Sequence, residues 1–352
     1  MIRVLIVEDS PVARETLLFL INSTKDIRVV SVAHNGKEAI VAAIDKKPDV
    51  IVMDINMPKM NGFQAAREIM EKSPRPIIIV TASYDVKDVS TVFKALEAGA
   101  VAIKPKPFGI KRKDTDEIAN DLLRTIRIMS EVKVVRRKHG NIFKHNEKEI
   151  EKTDEIQTQV DSESIYKALI IGASTGGPQV IMEILSNLPQ NFKLPVLIVQ
   201  HISAGFIEGF VEWLNTVSKL PVNIAVNNEP LIPGKVYVAP DDFHLGVNKA
   251  CNKIILSQSP KENGLRPAVS YLFRNARDTF REDCIAVLLS GMGKDGAMDL
   301  KLLRDTGAIT IVQDEESSVV FGMPGEAVKL DGASFILNQN KIANKIIELL
   351  NN

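Results

Sequence analysis

Residues 168–178, ALIIGASTGGP, run from a short apolar stretch into a loop of glycines, a serine and a threonine, and then to a proline. An unbroken apolar run of that length reads as a strand buried on both faces. The Gly-Gly-Pro that follows leads into a helix. Strand, glycine loop and helix together form the repeating unit of a parallel α/β sheet, and the rhythm extends in both directions. Downstream strand candidates are 195–200, 235–239, 253–257, 284–290 and 308–312, after a first strand over 168–172. Helix candidates are 178–187, 205–217, 267–280, 295–305 and 341–350. Upstream, IRVLIV (2–7), VIVM (50–53) and IIIV (77–80) alternate with helical patterns such as 12–22 and 36–46, ending in a helix near 115–131. The expected fold class is α/β, with two parallel sheets in succession.

Between them, residues 133–164 begin basic (KVVRRKHG) and end acidic and polar, with no sustained apolar periodicity. That composition builds no core and predicts a solvated linker. The expected organisation is an N-terminal domain over 1–132, the linker, and a second domain over 165–352. A chain of 352 residues with 45% hydrophobic and 25% charged residues supports a core in each. Lys+Arg and Asp+Glu are 44 each, so bulk charge points to neither nucleic acid nor a membrane surface. Two cysteines, Cys251 and Cys284, make no disulfide framework. No apolar run approaches the ~18 residues of a membrane span, and the N-terminus enters a strand without a signal-peptide pattern. These features predict a cytoplasmic protein.

In the first domain, strand 2–7 ends in Glu8 and Asp9, strand 50–53 in Asp54, and strand 77–80 in Thr81. GAVAIKPKPF then supplies a lysine before a proline. Carboxyl ends of neighbouring parallel strands share one edge, where ligands bind. Three carboxylates gathered there call for a hard cation such as Mg²⁺, which leaves coordination positions open for phosphate. The set suggests phosphoryl transfer onto a carboxylate, with Mg²⁺ and lysine offsetting the charge.

On IVEDS, DINMPKMNG, TAS and KPF, residues 1 to about 130 resemble a two-component receiver domain, whose flavodoxin-like sheet agrees with the strand reading. The resemblance implies that Asp54 accepts phosphate from a histidine kinase. It implies Mg²⁺ held by Glu8, Asp9, Asp54 and the Asn56 carbonyl, with Asp9 a direct ligand. Thr81 would bond the phosphoryl oxygen, and Lys106 rather than Lys104 would be the family lysine. Ile103 stands where many receivers carry a switch aromatic.

In the second domain the glycine loop alone is weak evidence. It is neither G-x-G-x-x-G nor a Walker loop, and a phosphate cradle or a plain turn suits it as well as a nucleophile. Other strand ends break the tie. PVLIVQH ends in His201, and IAVLLSGMGKDG places Asp295 in a glycine-rich loop. Ser174, His201 and Asp295 thus follow different strands of one expected sheet. A serine needs a base to take its proton, and a carboxylate on the far ring nitrogen steadies the imidazolium. The Met292 N–H, with Thr175, is nominated as oxyanion donor. The glycines are expected to clear space for the substrate. His244 is given a lesser role, because a lone histidine there is more often a structural hydrogen-bonder.

On GASTGGP, VQH, PGKVYVAPDDFHL, RPAVSYLF, LSGMGKDGA and QDEESSVVFGMP, residues 165 to about 350 resemble the catalytic domain of the chemotaxis protein-glutamate methylesterase/protein-glutamine glutaminase (CheB) family. The resemblance covers nearly the whole chain outside the linker. It implies a doubly wound α/β hydrolase domain whose triad is Ser174, His201 and Asp295, with no cofactor for hydrolysis. The implied reaction removes methyl groups from glutamyl γ-esters of methyl-accepting chemoreceptors, releasing methanol, and deamidates particular glutamines. Phosphorylation would relieve docking of the receiver, and the protein would work at chemoreceptor arrays. Departures are QHISAGF for the common QHMPxGF, LRPAVSYLF without the usual His before Arg-Pro, and GAMDL without a glycine after Asp295. The rival expectation is a catalytically inactive, receiver-linked binding or adaptor module.

Overall fold

The computed structural model describes residues 1–81, 93, 95–107, 112–132, 134 and 165–351. The expected linker lies outside them except for Val134, as do His139 and His145.

The first sheet comprises β1 (Ile2–Val7), β2 (Ile27–Ala33), β3 (Val50–Asp54), β4 (Ile77–Thr81) and β5 (Ala102–Pro105). They lie in the order β2-β1-β3-β4-β5, all parallel. Helices α1 (Pro11–Asn22), α2 (Gly36–Lys46), α3 (Gly62–Lys72) and α4 (Arg112–Met129) belong to this half. The first three start where the sequence offers a cap. The Ser10 hydroxyl accepts from Ala13 N–H before Pro11, and Asn35 and Asn61 accept from the N–H of Glu38 and Gln64. The sequence reading left out β2, an edge strand whose apolar run is broken by Arg28 and Ser31.

The second sheet comprises β6 (Ala168–Ala173), β7 (Val196–Gln200), β8 (Val222–Ile224), β9 (Val236–Val238), β12 (Cys284–Leu288), β13 (Ile309–Gln313) and β14 (Phe335–Leu337), parallel in the order β14-β13-β12-β6-β7-β9-β8. The chain leaves β6 for β7 on one side and later returns to β12 on the other. The β6/β12 boundary is therefore the topological switch point, where a crevice opens at the strands' carboxyl ends. Helices α5 (Gly177–Asn187), α6 (Ile207–Asn215), α7 (Val269–Thr279), α8 (Ala297–Arg304), α9 (Met323–Lys329) and α10 (Gln339–Asn351) complete this half. The segment expected as strand 253–257 is not part of this sheet. It forms β11 (Ile254–Ser257), paired antiparallel with β10 (His244–Val247) as a separate hairpin. Short apolar runs carry no record of which sheet they join.

The two halves share a core. One apolar cluster runs from Leu96 and Ala100 of the first half to Ile181, Phe210 and Trp213 of the second. Phe93 stacks on Trp213 with ring centroids 5.4 Å apart, and the Trp213 indole N–H donates to Glu97 at 2.7 Å. The Gln179 amide donates to the carbonyls of Leu96 and Ala100. From the other side, Val319 and Val320 pack on the cluster holding Val101, Ala102 and Met129.

Candidate active site and phosphoacceptor site

Ser174, His201 and Asp295 emerge just beyond β6, β7 and β12, which are neighbours in the sheet. All three line one cavity of about 1430 Å³ between the two halves. The opposite wall is built by β5 and by the α4 face carrying Ile118, Asp121, Thr125 and Ile128.

Asp295 is 2% exposed and surrounded by donors. The first two N–H groups of α7 reach its carboxylate, Val269 to Oδ2 at 2.6 Å and Ser270 to Oδ1 at 3.2 Å. The Asn263 amide adds a third contact at 3.2 Å. The carboxylate thus serves as the N-terminal cap of α7 and meets the positive end of its dipole. Burial pushes its pKa up, but the His201 ring, the Ser270 hydroxyl and the Val269 N–H outweigh burial and hold it at about 2. His201 Nε2 lies 3.0 Å from Oδ2, although the ring N–H is not aligned on the oxygen.

The Ser174 loop is braced from below. Ser174 N–H donates to the Ser290 carbonyl, and the buried Ser290 hydroxyl donates to the Thr175 carbonyl. The N–H groups of Thr175 and Met292 enter no hydrogen bond among the described residues, and both residues line the cavity. The glycines differ from the sequence expectation. Gly176 has φ +82, and a Cβ there would fall 2.6 Å from Val319 and 2.9 Å from the Ser290 hydroxyl. A Cβ on Gly177 would meet Gln200 and Ala173. The space is filled by protein, so these glycines admit the bracing residues and not the substrate. His244 is fully buried. Its Nδ1 accepts from Ala268 N–H at 3.2 Å, its Nε2–H donates to the Pro260 carbonyl at 3.1 Å, and its ring stacks on Tyr271. Those partners define a neutral structural histidine.

Asn263, Ser270, Gln200 and Ser290 escaped the sequence reading. Ser270 stood in the first turn of a helix candidate and Asn263 in an Asn-Gly turn, but nothing local connects either to Asp295, 25 or more residues away.

At the edge of the first sheet, Glu8, Asp9 and Asp54 bring a carboxylate oxygen each within 4.8 Å of one another. Lys106, only 6% exposed, lies 2.7 Å from Glu8 and 2.9 Å from Asp54. Lys104 points elsewhere, to Asp121 at 2.6 Å. Burial raises the carboxyls of Glu8 and Asp54 despite the lysine. Three carboxylates outnumber that ammonium, and their clustered oxygens fit a divalent oxygen-seeking cation. Asn56 N–H bonds Asp54, and Thr81 is buried at the end of β4.

Residues 4–115 match the response regulator receiver domain model, and residues 169–346 match the CheB methylesterase model. The chain belongs to the CheB methylesterase family. It is 49% identical, over 99% of its length and 98% of the other's, to protein-glutamate methylesterase/protein-glutamine glutaminase 1 of Syntrophus aciditrophicus (strain SB). It is 38% identical to the protein of that name, without the number, from Thermotoga maritima, over 99% of this chain and 98% of the other. The crystal structure of the Thermotoga maritima CheB methylesterase catalytic domain matches with 40% identity and a TM-score of 0.51, covering 52% of this chain and 98% of that one. The chain is therefore a CheB-type methylesterase with a receiver domain, and the inactive-adaptor alternative finds no support in these relatives. A receiver implies a phosphodonor kinase, and a CheB methylesterase implies chemoreceptor substrates. Among the described residues, no helix is long and apolar enough to cross a membrane.

Proposed function

We propose that the protein is a phosphorylation-activated serine hydrolase that demethylates glutamyl γ-methyl esters of chemoreceptors and deamidates specific receptor glutamines. The observation that carries this is the convergence of Ser174, His201 and a donor-wrapped Asp295 from three neighbouring strand ends on one cavity. With Nε2 of His201 against Asp295, Nδ1 is the ring nitrogen left to take the Ser174 proton. The serine oxygen attacks the side-chain carbonyl. The N–H groups of Thr175 and Met292 hold the oxyanion, each worth ~2.7–4 kcal/mol of barrier by analogy with other hydrolases. His201 returns the proton to the departing methoxide and methanol leaves. Water, deprotonated by the same base, then cleaves the acyl-enzyme. A glutamine follows the same path with ammonia as leaving group. Asp295 stays ionised throughout, because its donors hold it far below neutrality.

In the receiver, Asp54 is the proposed phosphoacceptor. Glu8, Asp9, Asp54 and the Asn56 carbonyl would hold Mg²⁺, which when bound offsets the charge of the incoming phosphoryl group. Thr81 and Lys106 attend the phosphoryl oxygens. The unphosphorylated receiver walls the catalytic cavity through Phe93, Leu96, β5 and α4 and is held there in part by the Glu97–Trp213 bond, and phosphorylation weakens that docking. Restraint of several-fold to ~100-fold needs only ~1–3 kcal/mol of coupling. Work at chemoreceptor arrays in the cytoplasm belongs to the same proposal. The test is methanol release from methylated receptor membranes, with acetyl phosphate and Mg²⁺ as the activating arm. Equal release by wild type and Ser174→Ala would sink the hydrolase reading.

A further inference from the structure

Gln200 is the last residue of β7 and pairs in register with Ala173, the last residue of β6. The backbone ladder continues one bond further, from His201 N–H to the Ala173 carbonyl at 2.9 Å, and there the chains diverge toward the nucleophile and the base. The Gln200 side chain carries the ladder past that point. Its amide nitrogen donates to the Ser174 carbonyl at 2.9 Å and to the His201 carbonyl at 2.8 Å. Both amide hydrogens are therefore used, one on the nucleophile's backbone and one on the base's.

The other half of the amide is left over. Gln200 is 3% exposed, and its Oε1 is buried without a donor among the described residues. It rests so close to Gly177 that a Cβ there would lie 2.5 Å away. Turning the amide over would set that oxygen against two carbonyl oxygens, so the observed orientation is the only one that makes bonds. Leucine or methionine would fill the same space with no orphaned acceptor, and an orphaned buried acceptor is destabilising. An amide held here at that cost is held for its two donors.

We propose that Gln200 is a positioning residue of the esterase reaction, tying the backbone of the nucleophile to the backbone of the base so that Ser174 and His201 keep a fixed separation. It touches no substrate. Its effect falls on the chemical step, where a small misplacement of reacting groups is costly. The proposal rests on the reading of Ser174 as nucleophile and His201 as base.

The test uses the full chain with acetyl phosphate and Mg²⁺, assayed for methanol release from methylated receptor membranes alongside Ser174→Ala. Gln200→Leu keeps the volume and removes both donors. It is expected to lower kcat at least tenfold with KM within twofold. Gln200→Glu gives a different signature. Protonated, the carboxyl donates one bond; ionised, it donates none and repels both carbonyls. Burial beside those oxygens raises its pKa, so kcat falls as pH rises through that pKa. Wild type and Gln200→Leu lack such a descending limb.

A folded Gln200→Leu with kcat within twofold of wild type overturns the proposal, as does a change confined to KM. If Gln200→Leu fails to fold, Gln200→Glu decides alone, and a wild-type pH profile overturns the proposal. If neither variant shows a cooperative unfolding transition, the residue is structural and the proposal falls. Wild type releasing no more methanol than Ser174→Ala would instead sink the esterase reading, and this proposal with it.

Discussion

The two halves of this chain use the same device, a parallel sheet that gathers side chains at its carboxyl edge, and treat a buried aspartate in opposite ways. Asp54 sits among Glu8, Asp9 and one lysine, and burial raises its pKa. Asp295, less exposed still, is capped by two helix N–H groups, an asparagine and a histidine, and is held at about 2. Asp54 also has donors, the Lys106 ammonium and the N–H groups of Ile55 and Asn56, but they do not outweigh its burial. That balance suits the proposed role of a group that attacks a phosphoryl donor beside a cation. The catalytic half saturates its carboxylate, which suits a group that must stay ionised and still. Burial alone does not set the fate of an acid; the balance between burial and the charges and donors aimed at it does.

The largest test of this contrast lies in the catalytic half. Ser174→Ala is expected to reduce methanol release to background, a loss of up to ~10⁶-fold. Asp295→Asn should cost about 10⁴-fold, because an amide neither fixes the imidazole tautomer nor balances its charge. Both are read as initial rates on methylated receptor membranes. Asp295→Asn at full rate would show that the saturated carboxylate is only a helix cap.

The cap itself carries a pH signature. Held at about 2 against an ordinary 3.8, the folded-state pKa is depressed, so the stabilisation is fully present above pH ~4 and lost as pH falls through ~2. Its size is about 2 kcal/mol. The stability gap between wild type and Asp295→Asn, measured by denaturant unfolding, should close across that window. A gap that stays constant from pH 5 to 2 would contradict the donor account.

The contrast between the two halves was only partly legible in the sequence. The β6–loop–α5 unit and the strand ends carrying Glu8, Asp9, Asp54, Ser174 and His201 were readable because apolar runs ending in polar residues are local signals. Asp295 was readable as a candidate for the same reason. What protects it was not: Asn263 and the α7 N-terminus reach it through the tertiary fold, and nothing near Asp295 in the chain records them. Edge strand β2 was hidden because Arg28 and Ser31 interrupt its apolar run. Edge strand β14 was hidden because a run of three residues, Phe335–Leu337, is too short to read as a strand. The glycines of the Ser174 loop were legible but their neighbours were not, since only the fold shows Val319 and Gln200 occupying the space beside them.

On the receiver side the expected effect is smaller, because only regulation is at stake. Asp54→Asn should abolish stimulation by acetyl phosphate and Mg²⁺, a loss bounded by the ~100-fold that a few kcal/mol of coupling allows. Lys106→Ala should reduce the stimulation strongly, since it removes an ammonium that lies within 3 Å of both Glu8 and Asp54. Stimulation that survives Asp54→Asn would mean that this aspartate is not the phosphoacceptor.

The smallest effect belongs to the seam between the halves. Gln179 projects from α5 and donates to the carbonyls of Leu96 and Ala100 in the receiver. Each such bond contributes a net ~0.5–1.5 kcal/mol, so Gln179→Ala should weaken docking by about 1–2 kcal/mol. Basal methanol release should rise roughly 5–30-fold, and the stimulation by acetyl phosphate should shrink by the same factor, because the phosphorylated protein has already given up the contact. The ratio of the two rates is therefore the sharper measurement. An unchanged basal rate would mean that the receiver wall, though built against the cavity, does not restrain the chemistry behind it.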